Sequence, residues 1–119
     1  MKKVSCVDLF CGAGGLTHGF VLEGLPVVAG IDLDPACRFP YVANNQARFV
    51  VRDISKVTAE ELKTLFGDAE LTILAGCAPC QPFSTYAQRY ESDGKDGKWG
   101  LLYEFARLEI GRASCRERV

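Results

Sequence analysis

The sequence predicts an α/β fold in which a parallel sheet is flanked by helices. Three observations carry the prediction. Apolar runs of strand length, Val4 to Leu9, Val27 to Ile31, Arg48 to Val51 and Leu71 to Ala75, alternate with segments of helical pattern. The first run leads into a glycine-dense turn, Cys11-Gly12-Ala13-Gly14-Gly15, and an acid, Asp32, closes the second run.

The elements follow in order. Val4 to Leu9 is rich enough in valine to be the first strand and ends at Phe10. The turn after it lets backbone approach a ligand closely and opens a helix from Leu16 to about Glu23, with Gly24 suited to the helix end and Pro26 just beyond. Asp32 stands at the distance from Gly12, about 20 residues, over which a Rossmann-type unit sets an acid toward ribose hydroxyls. By itself this pattern leaves the cofactor open, NAD included. Asp34 before Pro35 fills the cap of a second helix, Asp34 to Asn45, which Pro40 is expected to kink or end early. Arg48 to Val51 is a short third strand followed by Asp53-Ile54. Thr58-Ala59-Glu60-Glu61 has the capping-box pattern, and Leu62, Leu65 and Phe66 give the next helix an apolar face up to Gly67.

The fourth strand, from Leu71, runs into Gly76-Cys77-Ala78-Pro79-Cys80-Gln81-Pro82-Phe83-Ser84. Two prolines close together restrict the backbone around Cys80, at the carboxyl end of a strand, where open α/β sheets place their ligands. A thiol so held is placed for nucleophilic chemistry if its surroundings favour the thiolate; an ordinary buried cysteine is the alternative. Residues 86–98 are polar and glycine-bearing, the composition of a surface loop, and Leu101 to Leu108 begins an amphipathic helix.

Composition bounds the answer. At 119 residues the chain is one domain or part of one, and 48% hydrophobic with 24% charged residues is ordinary for a globular protein, which argues against disorder. Met1-Lys2-Lys3 has the charge of a signal peptide, but Asp8 interrupts the apolar run behind it. No stretch approaches the roughly 18 apolar residues of a membrane helix, so a cytoplasmic protein without a membrane partner is expected. Among the cysteines, Cys77 and Cys80 alone have metal or redox spacing; structural zinc sites usually need a second such pair, and no metal is expected.

Two of these segments carry a resemblance. Gly76 to Ser84, with Pro79-Cys80-Gln81 at its centre, resembles the catalytic segment of DNA (cytosine-5) methyltransferases. Asp8-Leu9-Phe10-Cys11-Gly12-Ala13-Gly14-Gly15-Leu16 resembles the cofactor loop of the same family, in the same order and at its usual separation. The resemblance implies a Rossmann-like S-adenosylmethionine-dependent methyltransferase fold with its sheet incomplete, residues 1–109 being the N-terminal part of the cofactor-binding catalytic domain. It implies S-adenosylmethionine as cofactor. Phe10 would pack on the adenosine part, the turn from Gly12 through Ala13 to Gly14 would approach the methionine end, Asp32 would bind ribose and Leu33 would lie near adenine, with Cys11 also counted among the cofactor-binding residues. Asp53 and Ile54 would bind adenine, and Pro79 and Leu101 would touch the cofactor. Cys80 would be the nucleophile that adds to the base, with Gln81 and Ser84 on the substrate side.

The implied partner is double-stranded DNA with its target cytosine flipped out, with loop 86–98 as a lid. A restriction-modification setting, a monomer when complete and a cognate restriction endonuclease as functional partner belong to the same expectation. No Glu-Asn-Val and no Gln-x-Arg-x-Arg occurs in the 119 residues, so methyl transfer by this chain alone is expected to be negligible. The alternatives are a nicotinamide-dependent oxidoreductase, which shares the strand-turn-acid pattern, and a non-catalytic module of the same fold. Residues 110–119 read like an in-frame translation of a short-read sequencing adapter and are expected to be non-native. Setting aside Arg112, Arg116, Arg118 and Glu117 moves the formal net charge from −1 to −3, so most of the basic surface needed to grip phosphates is expected elsewhere.

Overall fold

Among the described residues, four parallel strands form one sheet in the order β3-β2-β1-β4. The structure is a computed structural model and describes residues 3–78 and 102–109. In chain order the elements are β1 (Val4–Leu9), α1 (Gly15–Leu22), β2 (Val27–Asp32), α2 (Arg38–Asn44), β3 (Arg48–Val51), α3 (Ala59–Phe66) and β4 (Leu71–Gly76). A last helix, α4, covers 102–109. The chain steps outward from β1 to β2 to β3 and then returns to the far side of β1, so right-handed crossovers put α1 and α2 on one face and α3 on the other. The direction of winding reverses between β1 and β4.

Two cores follow from the strand alternation. Val7 and Leu9 of β1 join Ile31, Ile54, Val57, Leu62, Phe66 and Leu108 in the larger cluster, which α3 and α4 cover. Cys11, Tyr41 and Phe49 form a smaller cluster under α2, the two rings 5.5 Å apart. β1 lies between two strands and beneath two layers, and everything in it after Val4 is buried, as a central parallel strand requires.

Local chemistry sets the ends. Gly24 takes φ 80, and the N–H groups of Gly24 and Leu25 reach back to the carbonyls of Val21 and Phe20, a Schellman closure of α1. Thr58 caps α3 by accepting the Glu61 N–H at 3.1 Å. The reciprocal half of the capping box is absent: the Glu61 carboxylate instead takes a two-pronged bond from Arg52, at 2.6 and 3.1 Å. Pro40 corrects the expectation of a kinked or shortened helix from Asp34 to Asn45. A 3-10 turn, Pro35–Cys37, precedes α2, and Pro40 falls in the first turn of α2, where a backbone N–H has no helical partner to lose. Among the described residues no helix is long and apolar enough to cross a membrane.

Candidate functional site at the carboxyl edge of the sheet

The carboxyl ends of all four strands present their next residues along one edge. Leu9 pairs with Ile31 on one side and Gly76 on the other, and Asp32 pairs with Val51. From β3 to β4 the edge therefore reads Asp53, Asp32, the turn from Phe10 to Gly14, and Cys77. A ligand lying over β1 would meet all of them, at the point where the winding reverses.

The turn has an unusual backbone. Phe10, Gly12 and Gly14 take φ values of 55, 54 and 96. Phe10 is the one non-glycine with positive φ among the described residues, a conformation that persists only where neighbours hold it. One hold is Asp32, whose Oδ2 accepts the Gly12 N–H at 2.9 Å while Oδ1 accepts the Asp34 N–H at 3.0 Å. Asp32 is thus not the helix cap; Asp34 is, through the Ala36 N–H at 3.0 Å. Each Asp32 oxygen keeps a further lone pair for an incoming hydroxyl. A Cβ on Gly12 would meet nothing within 4 Å, so the backbone there is open to a ligand.

Beneath the turn lies a buried polar chain. Thr17 donates to Asp8 Oδ2 at 2.7 Å, and the Tyr41 hydroxyl lies 2.9 Å from Thr17 Oγ1. Asp8 is 1% exposed and its Oδ1 has no hydrogen-bond partner, and burial pushes its carboxyl above the usual range. The Cys11 thiol is pushed up to about 12, by burial first and then by Asp8 and Asp32, which makes it a neutral packing group at physiological pH. The Ser55 hydroxyl and N–H, both on Oδ1, hold Asp53 below the usual carboxylate range.

The sequence profile of C-5 cytosine-specific DNA methylases matches residues 4–109. The chain belongs to that family. It is 51% identical over 102 residues to the type II methylase M.HgiDII of Herpetosiphon aurantiacus, covering 86% of this chain and 28% of that protein. It is 36% identical over 111 residues to the type II methyltransferase M.XorII of Xanthomonas oryzae pv. oryzae, covering 91% and 26%. A solved E. coli structure described as a prophage-encoded DNA modification methyltransferase superposes with a TM-score of 0.66 at 27% identity, over 88% of this chain and 28% of that one. The chain thus spans about a quarter of the length of these relatives, and its fold is the Rossmann-like one of methyltransferases.

In this C-5 cytosine-specific DNA methylase chain, the structure brings Phe10, Gly12, Ala13, Gly14, Asp32 and Asp53 to one edge. Leu33 follows Asp32 and is 63% exposed, an apolar side chain that a ligand would cover. The side chains of Cys11 and Ile54 point elsewhere: both are buried in core clusters, which leaves their backbone for contact at the edge. Pro79, Cys80, Gln81, Ser84 and Leu101, with the loop 86–98 and the tail 110–119, lie outside the described residues. Sequence reasoning missed Asp8, Thr17, Tyr41 and Asn45. Their signals were present: an acid inside an apolar strand, a threonine in an otherwise apolar helix start, and a Tyr and Asn one helical turn apart.

Proposed function

We propose that residues 1–109 are the N-terminal part of the catalytic domain of an enzyme that methylates carbon 5 of cytosine in double-stranded DNA, in a restriction-modification system. The observation that supports this best is the pairing of Gly76 with Leu9. The strand leading to Pro79-Cys80-Gln81 ends beside the strand leading into the glycine turn. Cys80 follows Gly76 by four residues in the sequence.

The donor set suits a nucleoside carrying a cationic sulfur: carboxylates for hydroxyls and an amine, apolar surfaces for a purine, and open backbone at Gly12. Asp32 accepts the ribose hydroxyls with its remaining lone pairs, and Phe10 and Leu33 pack on adenosine. Asp53 and Ile54 take the adenine edge, Pro79 and Leu101 close on the cofactor, the turn from Gly12 to Gly14 borders the methionine end, and Cys11 contributes backbone. When bound, S-adenosylmethionine supplies a methyl group on a sulfonium sulfur, which keeps the bonding pair as the methyl leaves.

Carbon 5 of cytosine is a poor nucleophile in the intact ring. The Cys80 thiolate adds to carbon 6, the new C–S bond pushing the ring electron pair toward carbon 5, which can then be methylated. Loss of the carbon 5 proton and departure of Cys80 as thiolate restore the ring. The base has to leave the duplex stack first, at a cost of a few kcal/mol, and Gln81 and Ser84 hold it once flipped. The loop 86–98 closes over the DNA. A cytoplasmic monomer when complete, with a cognate endonuclease as functional partner, is part of the same reading.

In the enzyme completed with its downstream sequence, Cys80→Ser is expected to abolish both methyl transfer and covalent capture on 5-fluorocytosine DNA. S-adenosylmethionine affinity should stay within about twofold. Capture that survived the substitution would overturn the mechanism. The 119-residue chain alone is expected to give no turnover with labelled cofactor and CpG-rich or mixed-sequence DNA.

A further inference from the structure

We propose that Tyr41 of α2 and Asn45, the residue just past its end, are positioning residues for the methyl donor: acting through Gly14 and Thr17, they hold the turn 12–14 in the shape that receives its methionine end. The inference rests on the functional reading above for the identity of the ligand. Both side chains are buried, Tyr41 at 0% and Asn45 at 1% exposure, and they stand one helical turn apart. A Cβ placed on Gly14 would lie 2.5 Å from Asn45 Nδ2 and 2.7 Å from Tyr41 Cδ2, so the pair fills the space that a glycine leaves at the start of α1. The Tyr41 hydroxyl fills the matching space over β2, 2.5 Å from where a Cβ on Gly30 would stand.

The contact is also polar. Thr17 commits its proton to Asp8, so Tyr41 donates to Thr17, and the chain Tyr41, Thr17, Asp8 runs in one direction from α2 through α1 to β1. Asn45 Nδ2 donates to the Tyr41 carbonyl at 3.0 Å, while its Oδ1 lies 3.2 Å from Nδ1 of His18 in α1. A ring that only filled volume would need no hydroxyl here. The turn carries one left-handed non-glycine residue, Phe10, which costs conformational energy, so the turn needs support from both sides. Asp32 supports it from the ligand side through Gly12, and α2 supports it from beneath.

The test uses the full 119-residue chain and two probes, S-adenosylmethionine and 5′-methylthioadenosine, which keeps the adenosine but lacks the amino-acid end. By calorimetry, Tyr41→Phe and Thr17→Val should weaken S-adenosylmethionine about tenfold, equivalent to about 1.4 kcal/mol, and leave 5′-methylthioadenosine within about twofold. Thr17→Ser, which keeps the hydroxyl, should restore wild-type binding. In the ligand-free chain, amide hydrogen exchange should quicken at 12–18 in the weakened variants and stay unchanged in α3. Equal weakening of both probes, no weakening of either, or exchange that rises evenly across the chain would overturn the proposal. If the wild-type chain bound neither probe, the functional reading would fail, and the exchange pattern would still decide whether α2 holds the turn.

Discussion

Asp8 is a buried carboxyl with one oxygen bonded to Thr17 and the other to nothing, so its charged form is the costly one. Burial raises its proton affinity in the fold above that of the unfolded chain. The sign follows by linkage: the stability contributed by protonated Asp8 is complete below the ordinary carboxylate range and is lost as pH rises through the raised folded value. Asp8→Asn keeps an acceptor for Thr17 and removes the loss. The variant is expected to melt about 4 °C above wild type at pH 7.5, with the gap closing toward pH 4, in thermal unfolding followed by circular dichroism. A gap that did not change with pH would mean that the buried charge is not its source.

At the scale of elements, the last place in β4 has room only for a glycine. A Cβ there would stand 2.6 Å from the Leu9 carbonyl oxygen and 3.0 Å from the Phe105 ring, backbone on one side and a packed ring on the other. Gly76→Ala should cost about 1–3 kcal/mol, read as a lower urea midpoint at unchanged slope. Gly19→Ala, in the middle of α1 with nothing within 4 Å, should instead add about 0.5–1 kcal/mol. The strands were legible in the sequence because each is a short apolar run bounded by turn residues: β1 and β3 match the expected limits, and β2 and β4 run one residue further, to Asp32 and Gly76. Asp32 and the glycine turn were legible because their spacing is local to one strand-helix-strand unit. Pro40 misled because a proline disrupts a helix by losing an N–H bond and crowding the carbonyl four residues back, and in the first turn of α2 that carbonyl lies outside the helix. Glu61 misled because Arg52, nine residues away, outbid the Thr58 N–H for its carboxylate. Tyr41 and Asn45 stayed hidden because their partners are on other elements, and no periodicity reports which helix face meets which turn.

Over the whole molecule, charge and surface tell how much of the task these residues can do. The body of the chain, without 110–119, carries a formal −3, and duplex DNA is held chiefly by cations that replace its counterions. Fluorescence anisotropy with a labelled duplex at 150 mM salt is expected to show binding weaker than the roughly 10⁻⁶ to 10⁻⁴ M of nonspecific DNA binders. Saturable binding in that range would place a gripping surface within these 119 residues. α1 adds to the picture: it buries Thr17 alone and leaves Leu16, Val21 and Leu22 exposed, an apolar face without a partner among the described residues. The rungs between β1 and β4 have a last consequence. Every side chain on a strand changes sides when the strand slips by one place, and everything downstream moves by about 3.3 Å. A single deleted residue inside β4 would therefore break the rung between Gly76 and Leu9 and shift Cys77 along the edge, whereas a change of length before β4 would leave that gauge undisturbed.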